Sequence, residues 1–108
     1  MKLLTSVFIF LAFASQLLAS CSGGHCKNVR VTRIYVTLDG ITRISTNGDE
    51  KKLSCNAENG IYIHVDPQAK NYDSTFKLLL NAHNTKHPVW IRVNESGTCK
   101  LLYVVSDK

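Results

Sequence analysis

Four side chains in two short β-rich segments have the chemistry of a binding surface. In IYIHV and VWIRV, β-branched residues alternate with Tyr62, His64, Trp90 and Arg92. Because successive side chains of a strand point to opposite faces, the alternation directs the β-branched residues inward and these four outward. Exposed aromatic rings stack on ligands or fill subunit interfaces, and Arg92 can pair with a carboxylate. We therefore interpret the four as ligand or interface residues, with packing of Trp90 under a loop as a third interpretation.

The remaining polar residues form no recognisable catalytic set. His64 and Asp66 would share a face as residues i and i+2 of a strand, but a surface pair is the simpler interpretation. His83 falls on the apolar side of a helix pattern, and the spacing of the cysteines and His25 matches no common zinc site. The sequence therefore predicts a protein that is not an enzyme, with no catalytic residues, no metal and no cofactor.

The segments VRVTRIYVTL and ITRIST predict a β-hairpin around an Asp-Gly turn. A two-residue turn would place Leu38 opposite Ile41 and Val36 opposite Arg43. The hairpin carries a second, weaker basic and aromatic set: Arg33, Tyr35 and Arg43.

The start of the chain predicts export. Residues 1–20 contain Lys2 as their only charge and a long apolar run, which is typical of a signal peptide. Residues 21–28 are expected to form an N-terminal tether and residues 29–108 the folded domain. Two cleavage sites stay open. The segment LASC resembles a bacterial lipobox, which would place a lipid on Cys21; alternatively an ordinary signal peptidase cuts upstream and leaves Cys21 free to pair with Cys26.

Export also favours disulfides in a domain too small for a large core. Cys55 and Cys99 lie inside the folded part and next to predicted strand ends, so we expect them to be bonded. The chain has a formal net charge of +5. This mild excess permits acidic glycans, anionic lipid or nucleic acid as partners, although charge for solubility is the favoured explanation and export makes nucleic acid unexpected.

A helix pattern begins after Asn71, which is expected to cap it, and ends before Pro88. Its apolar face is formed by Tyr72, Phe76, Leu79, Leu80 and His83. The order of strands, one helix and two final strands predicts an α+β, mostly β fold. We expect a small OB-like barrel of five to six antiparallel strands, with the helix between the third or fourth strand and the last strand pair.

The segment TFKLLLNA, followed by VWIRV, resembles the helix-to-strand segment of pertussis-type and subtilase-type AB5 toxin B subunits. It also resembles small exported bacterial proteins with cysteines placed as Cys55 and Cys99 are. The resemblance implies a secreted or periplasmic carbohydrate-binding module whose partners are a sialylated or acidic glycan, further copies in a pentamer, or a toxin A subunit. The lipobox implies the alternative, an envelope lipoprotein lipidated at Cys21 with a structural or protein-interaction role.

Overall fold

The computed structural model describes residues 18–107, so most of the predicted signal peptide lies outside the described residues. The elements follow one another in the order β1 (Ser20–Ser22), β2 (His25–Val29), β3 (Val31–Val36), β4 (Thr42–Thr46), a 3-10 helix (Glu50–Lys52), β5 (Ile63–Val65), α1 (Tyr72–Thr85), β6 (Val89–Val93) and β7 (Leu101–Val105). The mostly β composition and the position of α1 ahead of the last two strands agree with the prediction, but five strands precede the helix instead of three or four.

The strands form two antiparallel sheets, not the predicted closed barrel. One sheet has the strand order β1-β2-β6-β7 and the other the order β3-β4-β5. They meet at an isolated bridge between His64 and Lys100, where the His64 N–H donates to the Cys99 carbonyl at 2.9 Å. A single bridge does not make β5 and β7 one continuous sheet. The described residues contain seven strands, so the prediction of five to six was also wrong.

Two segments account for the difference in strand number. Residues 21–28, expected to be a tether, form much of β1 and β2, because the short hairpin pairs Cys21 with Cys26 and then pairs β2 with β6. The predicted strand KKLSC instead begins in a 3-10 helix, which Asp49 caps by accepting from the Lys51 N–H at 3.1 Å. The N-terminal residues of the described part therefore belong to the folded domain.

The β3–β4 hairpin has a different register from the predicted one. Val36 pairs with Thr42 and Tyr35 with Arg43, one residue away from the expected pairing. The Thr37 N–H donates to the Ile41 carbonyl at 2.9 Å, so three residues, 38–40, lie between them instead of the predicted two, and Gly40 adopts a φ of 88°. This register places Tyr35 directly beside Arg43.

Helix α1 has the predicted limits but a different start and a different buried face. Asn71 makes no side-chain cap; its amide donates to the Leu102 carbonyl at 3.2 Å, which ties the helix to β7. Leu79 and Ala82 are buried, whereas Leu80, predicted to be buried, is 40% exposed. Thr75 is buried as well, so the buried stripe is shifted to one side of the face that the sequence pattern predicts.

The inward alternation of β5 and β6 is confirmed at Ile63, Val65, Val89, Ile91 and Val93, all of which are buried. It fails at Ile61, which is 41% exposed, and at Tyr62, which is only 8% exposed. Both residues lie in a tight turn in which their N–H groups donate to the Glu58 carbonyl, at 3.1 and 3.0 Å. The strand pattern does not apply in such a turn.

Two disulfides cross-link the described chain. Cys55 bonds to Cys99, the predicted pair, over a sequence separation of 44, and Cys21 bonds to Cys26 over a separation of 5. These bonds indicate an oxidising compartment, extracellular or periplasmic.

The two bonds should differ in their contribution to stability, because the longer loop loses more entropy when it is closed. We expect the Cys55→Ala, Cys99→Ala double variant to lose about 4 kcal/mol of unfolding free energy and the Cys21→Ala, Cys26→Ala variant about 2 kcal/mol. Urea unfolding of both variants measures the difference. A larger loss for the shorter loop would contradict this account.

Candidate functional site

The structure divides the four predicted binding residues between the two sheets. Trp90 and Arg92 lie on β6, in the four-stranded sheet, whereas His64 lies on β5, in the three-stranded sheet, and Tyr62 directly precedes β5. The four side chains therefore do not form one surface. Each pair instead contacts other residues that the sequence pattern did not group with that pair.

Trp90 is the centre of the first group. It is 41% exposed, and the His25 ring meets it edge-on, with ring centroids 5.9 Å apart and an interplanar angle of 72°. The Lys27 ammonium lies 5.0 Å from the centroid of the Trp90 ring. Because a cation over an indole is attracted by the ring's quadrupole, Lys27 and His25 restrict the orientation of Trp90. An exposed aromatic ring is thus held in place by its neighbours.

A cleft of about 410 Å³ lies beside this ring, and we call it the Trp90 cleft. Its volume is within the range of small-ligand sites. Its wall includes Asn28, which takes a φ of 54° where the pairing of β2 with β6 shifts register. Such bulges commonly redirect side chains at functional sites. The cleft is lined by Asn28, His87, Pro88, Trp90, Val105 and Asp107.

The cleft combines polar and apolar lining residues. The Asp107 carbonyl contacts the His87 ring nitrogen Nε2, and the His87 backbone N–H donates to the Ala82 carbonyl at the end of α1. Asn28 and Asp107 add an amide and a carboxylate to the lining. This combination suits a ligand with an apolar face and hydroxyl groups around it.

The sequence suggests that Arg92 can pair with a carboxylate of a ligand, but in the structure its guanidinium already has a partner. Its guanidinium donates to the Glu95 carboxylate at 2.9 Å, and it packs on Gly24, where a Cβ atom would lie 2.6 Å from Nη1. Gly24 in turn accepts a hydrogen bond from the Val93 N–H at 2.8 Å. Arg92 therefore fastens the β1–β2 hairpin to β6, and Lys27 is the cation nearest to the Trp90 ring.

The second group lies on the three-stranded sheet and contains Tyr62 together with residues of the first hairpin. An Arg33 N–H donates to the Tyr62 hydroxyl at 2.9 Å, and the rings of Tyr35 and Tyr62 have centroids 5.6 Å apart. We call Arg33, Tyr35 and Tyr62 the tyrosine cluster. The structure thus unites Tyr62 with two members of the weaker set predicted from the hairpin.

Glu58 connects this cluster with His64. Its carboxylate accepts from Arg43 Nε at 2.7 Å and lies 2.6 Å from His64 Nε2. The hydrogen bond from Arg43 holds the pKa of the Glu58 carboxyl below its ordinary value, and the contact with His64 lowers that pKa further. Arg43 also lies over the Tyr35 ring, 5.2 Å from its centroid. Glu58 therefore fixes the cation that supports Tyr35.

The acid-base pair considered for His64 and Asp66 does not form. His64 contacts Glu58, and the Asp66 carboxylate instead accepts from the Gln68 N–H at 2.9 Å. Among residues 18–107, no group of three or more histidine, cysteine or acidic side chains is arranged to hold a metal ion.

The Cys21–Cys26 disulfide bears on the two predicted cleavage sites. An acylated Cys21 would carry its lipid on the same sulfur that here bonds to Cys26, so the two states exclude each other. Cys21 is also 3% exposed. The disulfide and a lipid on Cys21 are therefore alternative states of the same sulfur, and the cleavage site stays a prediction.

The sequence interpretation missed the residues that complete both groups. His25, Lys27 and Asn28 were assigned to a tether, although Cys26 between polar neighbours is a weak alternation signal that indicates a strand. Glu58 belongs to no motif in the sequence, and no local pattern indicates its pairing with Arg43. The partners of Trp90 and Tyr62 come from strand pairing across the chain, which single-sequence patterns do not encode.

Comparison with known proteins adds no family. No protein-family model and no curated protein sequence matches the chain. Within the described part, none of the helical structure is both long and apolar enough to cross a membrane.

The Glu58 contacts predict a specific pH dependence of stability. A carboxyl whose pKa is lowered by folding adds stability above its unfolded pKa, near 4.5, and loses this contribution as the pH falls through the folded value. We expect Glu58→Gln to be less stable than wild type at pH 7, with the difference shrinking below about pH 4.5. Urea unfolding at pH 7, 5, 4 and 3 measures it. A difference that is the same at pH 3 and pH 7 would rule out the role of Glu58.

Proposed function

We propose that this protein is an exported, non-enzymatic carbohydrate-binding module and that the Trp90 cleft is its glycan site. The observation that carries the proposal is an exposed, oriented tryptophan at the wall of a cleft with polar lining groups. Aromatic rings provide flat apolar surface for the C–H face of a sugar ring, and amide and carboxylate groups hydrogen-bond its hydroxyls. The two disulfides support export to an oxidising compartment.

The proposed ligand is an acidic glycan, such as a sialylated one. Lys27 places an ammonium 5.0 Å from the Trp90 centroid, where it can meet a carboxylate of a sugar stacked at the ring. Arg92, the residue expected from the sequence to play this part, is paired with Glu95. The mild positive charge of the whole chain also favours an acidic ligand.

A second candidate function is assembly, and a specific observation favours it. Tyr103 and Val105 on β7 pair with Arg92 and Trp90 on β6, and the exposed fractions of Tyr103 and Val105 are 47% and 38%. Aromatic and apolar residues in such a row are typical of subunit interfaces. The resemblance to toxin B subunits supports a ring of identical copies, a pentamer, that contacts an A subunit. In this reading Trp90 is an interface residue.

The glycan site is tested with a pair of matched variants on a glycan array, followed by titration of the best hits. Trp90→Ala removes the proposed stacking surface, and we expect affinity to fall at least about tenfold, or ~1.4 kcal/mol. Tyr103→Ala is the control, because it removes an exposed aromatic ring on the same sheet that does not line the cleft. Glycan binding that survives Trp90→Ala would remove the proposal.

Light scattering distinguishes the assembly function. If the face of β6 and β7 is an interface, wild type forms a discrete oligomer, and both Trp90→Ala and Tyr103→Ala convert it to monomer because both rings are buried in the contact. A wild-type monomer at micromolar concentration would exclude this function and leave the glycan site untouched.

A further inference from the structure

The tyrosine cluster borders a second groove, on the three-stranded sheet. Its volume is about 480 Å³, and it is lined by Arg33, Ile34, Tyr35 and Tyr62. The lining contains a guanidinium, two phenol rings and one aliphatic side chain, with no carboxylate. The electrostatic character of this groove therefore favours an anion.

The rings of the groove are held in defined positions. Tyr62 is 8% exposed and its hydroxyl accepts from Arg33, whereas Tyr35 is 43% exposed and packs at a tilt of 55° against Tyr62. Arg43 lies over the Tyr35 ring and is itself held by Glu58. A buried ring, a cation and an ion pair thus orient the one ring that faces solvent. Such support reduces the loss of side-chain freedom when a ligand stacks on Tyr35.

Arg33 supplies the charge at the edge of the same groove. It lies on β3, the outermost strand of its sheet, and its side chain is exposed. Within the described residues, Nη1 donates to Tyr62, and its remaining N–H groups make no other hydrogen bond. A guanidinium presents five donors in a planar fork that matches a carboxylate or sulfate group. Arg33 is therefore fixed at one nitrogen and free to bind an anion with others.

We propose that the tyrosine cluster is a second binding site, for a sugar ring that carries a carboxylate or sulfate group. The ring stacks on Tyr35, and its anionic group is bound by Arg33. This site belongs to the three-stranded sheet, whereas Trp90 lies on the four-stranded sheet. The proposal therefore does not rest on the Trp90 cleft. Arg43 and Glu58 are positioning residues, because they hold Tyr35 and do not line the groove.

Nuclear magnetic resonance titration of the ¹⁵N-labelled domain tests the two sites separately. The probes are a sulfated tetrasaccharide, a uronic-acid tetrasaccharide, an uncharged tetrasaccharide of the same length and a short polyglutamate peptide. We expect saturable shifts at residues 33–36 and 62 with one or both acidic sugars and none with the uncharged sugar. No shifts there, or equal shifts with polyglutamate, would overturn the proposal. Shifts confined to residues 87–90 would support the Trp90 cleft and reject this site. Shifts confined to residues 33–36 and 62 would support this site and reject the Trp90 cleft.

Calorimetric titration of variants provides the second test. Arg33→Gln retains a donor for the Tyr62 hydroxyl but removes the charge, and Tyr35→Leu removes the ring but keeps an apolar side chain. Each should weaken binding of the acidic sugar at this site at least about tenfold, because a charged hydrogen bond or a stacking surface is lost. Lys77→Ala on α1 is the charge-matched control and should bind like wild type. Equal weakening by Lys77→Ala and Arg33→Gln would show general attraction by net charge and overturn the proposal.

Discussion

The contact between the two sheets at Cys99 is the constraint on which the rest of the structure depends. Cys99 is fully buried, its sulfur is bonded to Cys55, and its backbone N–H and carbonyl bond to Asn56 and His64 at 3.0 and 2.9 Å. One residue therefore connects the four-stranded sheet, the three-stranded sheet and the turn between Cys55 and β5. Since that turn carries Glu58, the same contact fixes Arg43 and, through it, the orientation of Tyr35.

The N-terminal hairpin has a comparable role for the Trp90 cleft. Its disulfide packs against Gly48, where a Cβ atom would lie 2.8 Å from the Cys21 sulfur, so a larger residue there would displace the hairpin. The turn before the 3-10 helix is rigid because the buried Glu50 carboxylate accepts from the Thr46 N–H and hydroxyl, at 2.7 and 2.6 Å. The hairpin in turn brings Lys27 to Trp90. The cross-linked hairpin thus determines which cation lies beside the Trp90 ring.

The sequence predicts those features that are written in local patterns. The limits of α1 follow from its periodicity and from Pro88, the buried faces of β5 and β6 follow from alternation, and export permits the Cys55–Cys99 bond. Predictions fail where a side chain overrides the local pattern. The Thr37 hydroxyl donates to Asp39 inside the first hairpin loop, where the strand register differs by one residue from the predicted one.

The candidate site was less predictable than the fold, because its composition depends on strand order. Alternation correctly placed Trp90 outward, but only the pairing of β2 with β6 shows that Lys27 and His25 are its neighbours. Grouping Tyr62 with Trp90 was wrong because the segments that carry them belong to different sheets, and a turn before Ile63 buries Tyr62. A pattern in one sequence shows which side chains share a face of a strand, but it does not show which strand lies next to it. Predicting a binding surface requires both kinds of information.

The difference between the two cations gives the two proposed sites different selectivity. An ammonium such as that of Lys27 is a compact charge on a flexible stem and accepts an anion from many directions, whereas the Arg33 guanidinium is planar and already fixed at one nitrogen by Tyr62. The Trp90 cleft should therefore select mainly by the shape and hydroxyl pattern of the sugar that stacks there. The tyrosine cluster should select mainly by the geometry of the anionic group. Moving the acidic group of a glycan to another ring position should therefore change its affinity more at Arg33, in the tyrosine cluster, than at Lys27, beside Trp90.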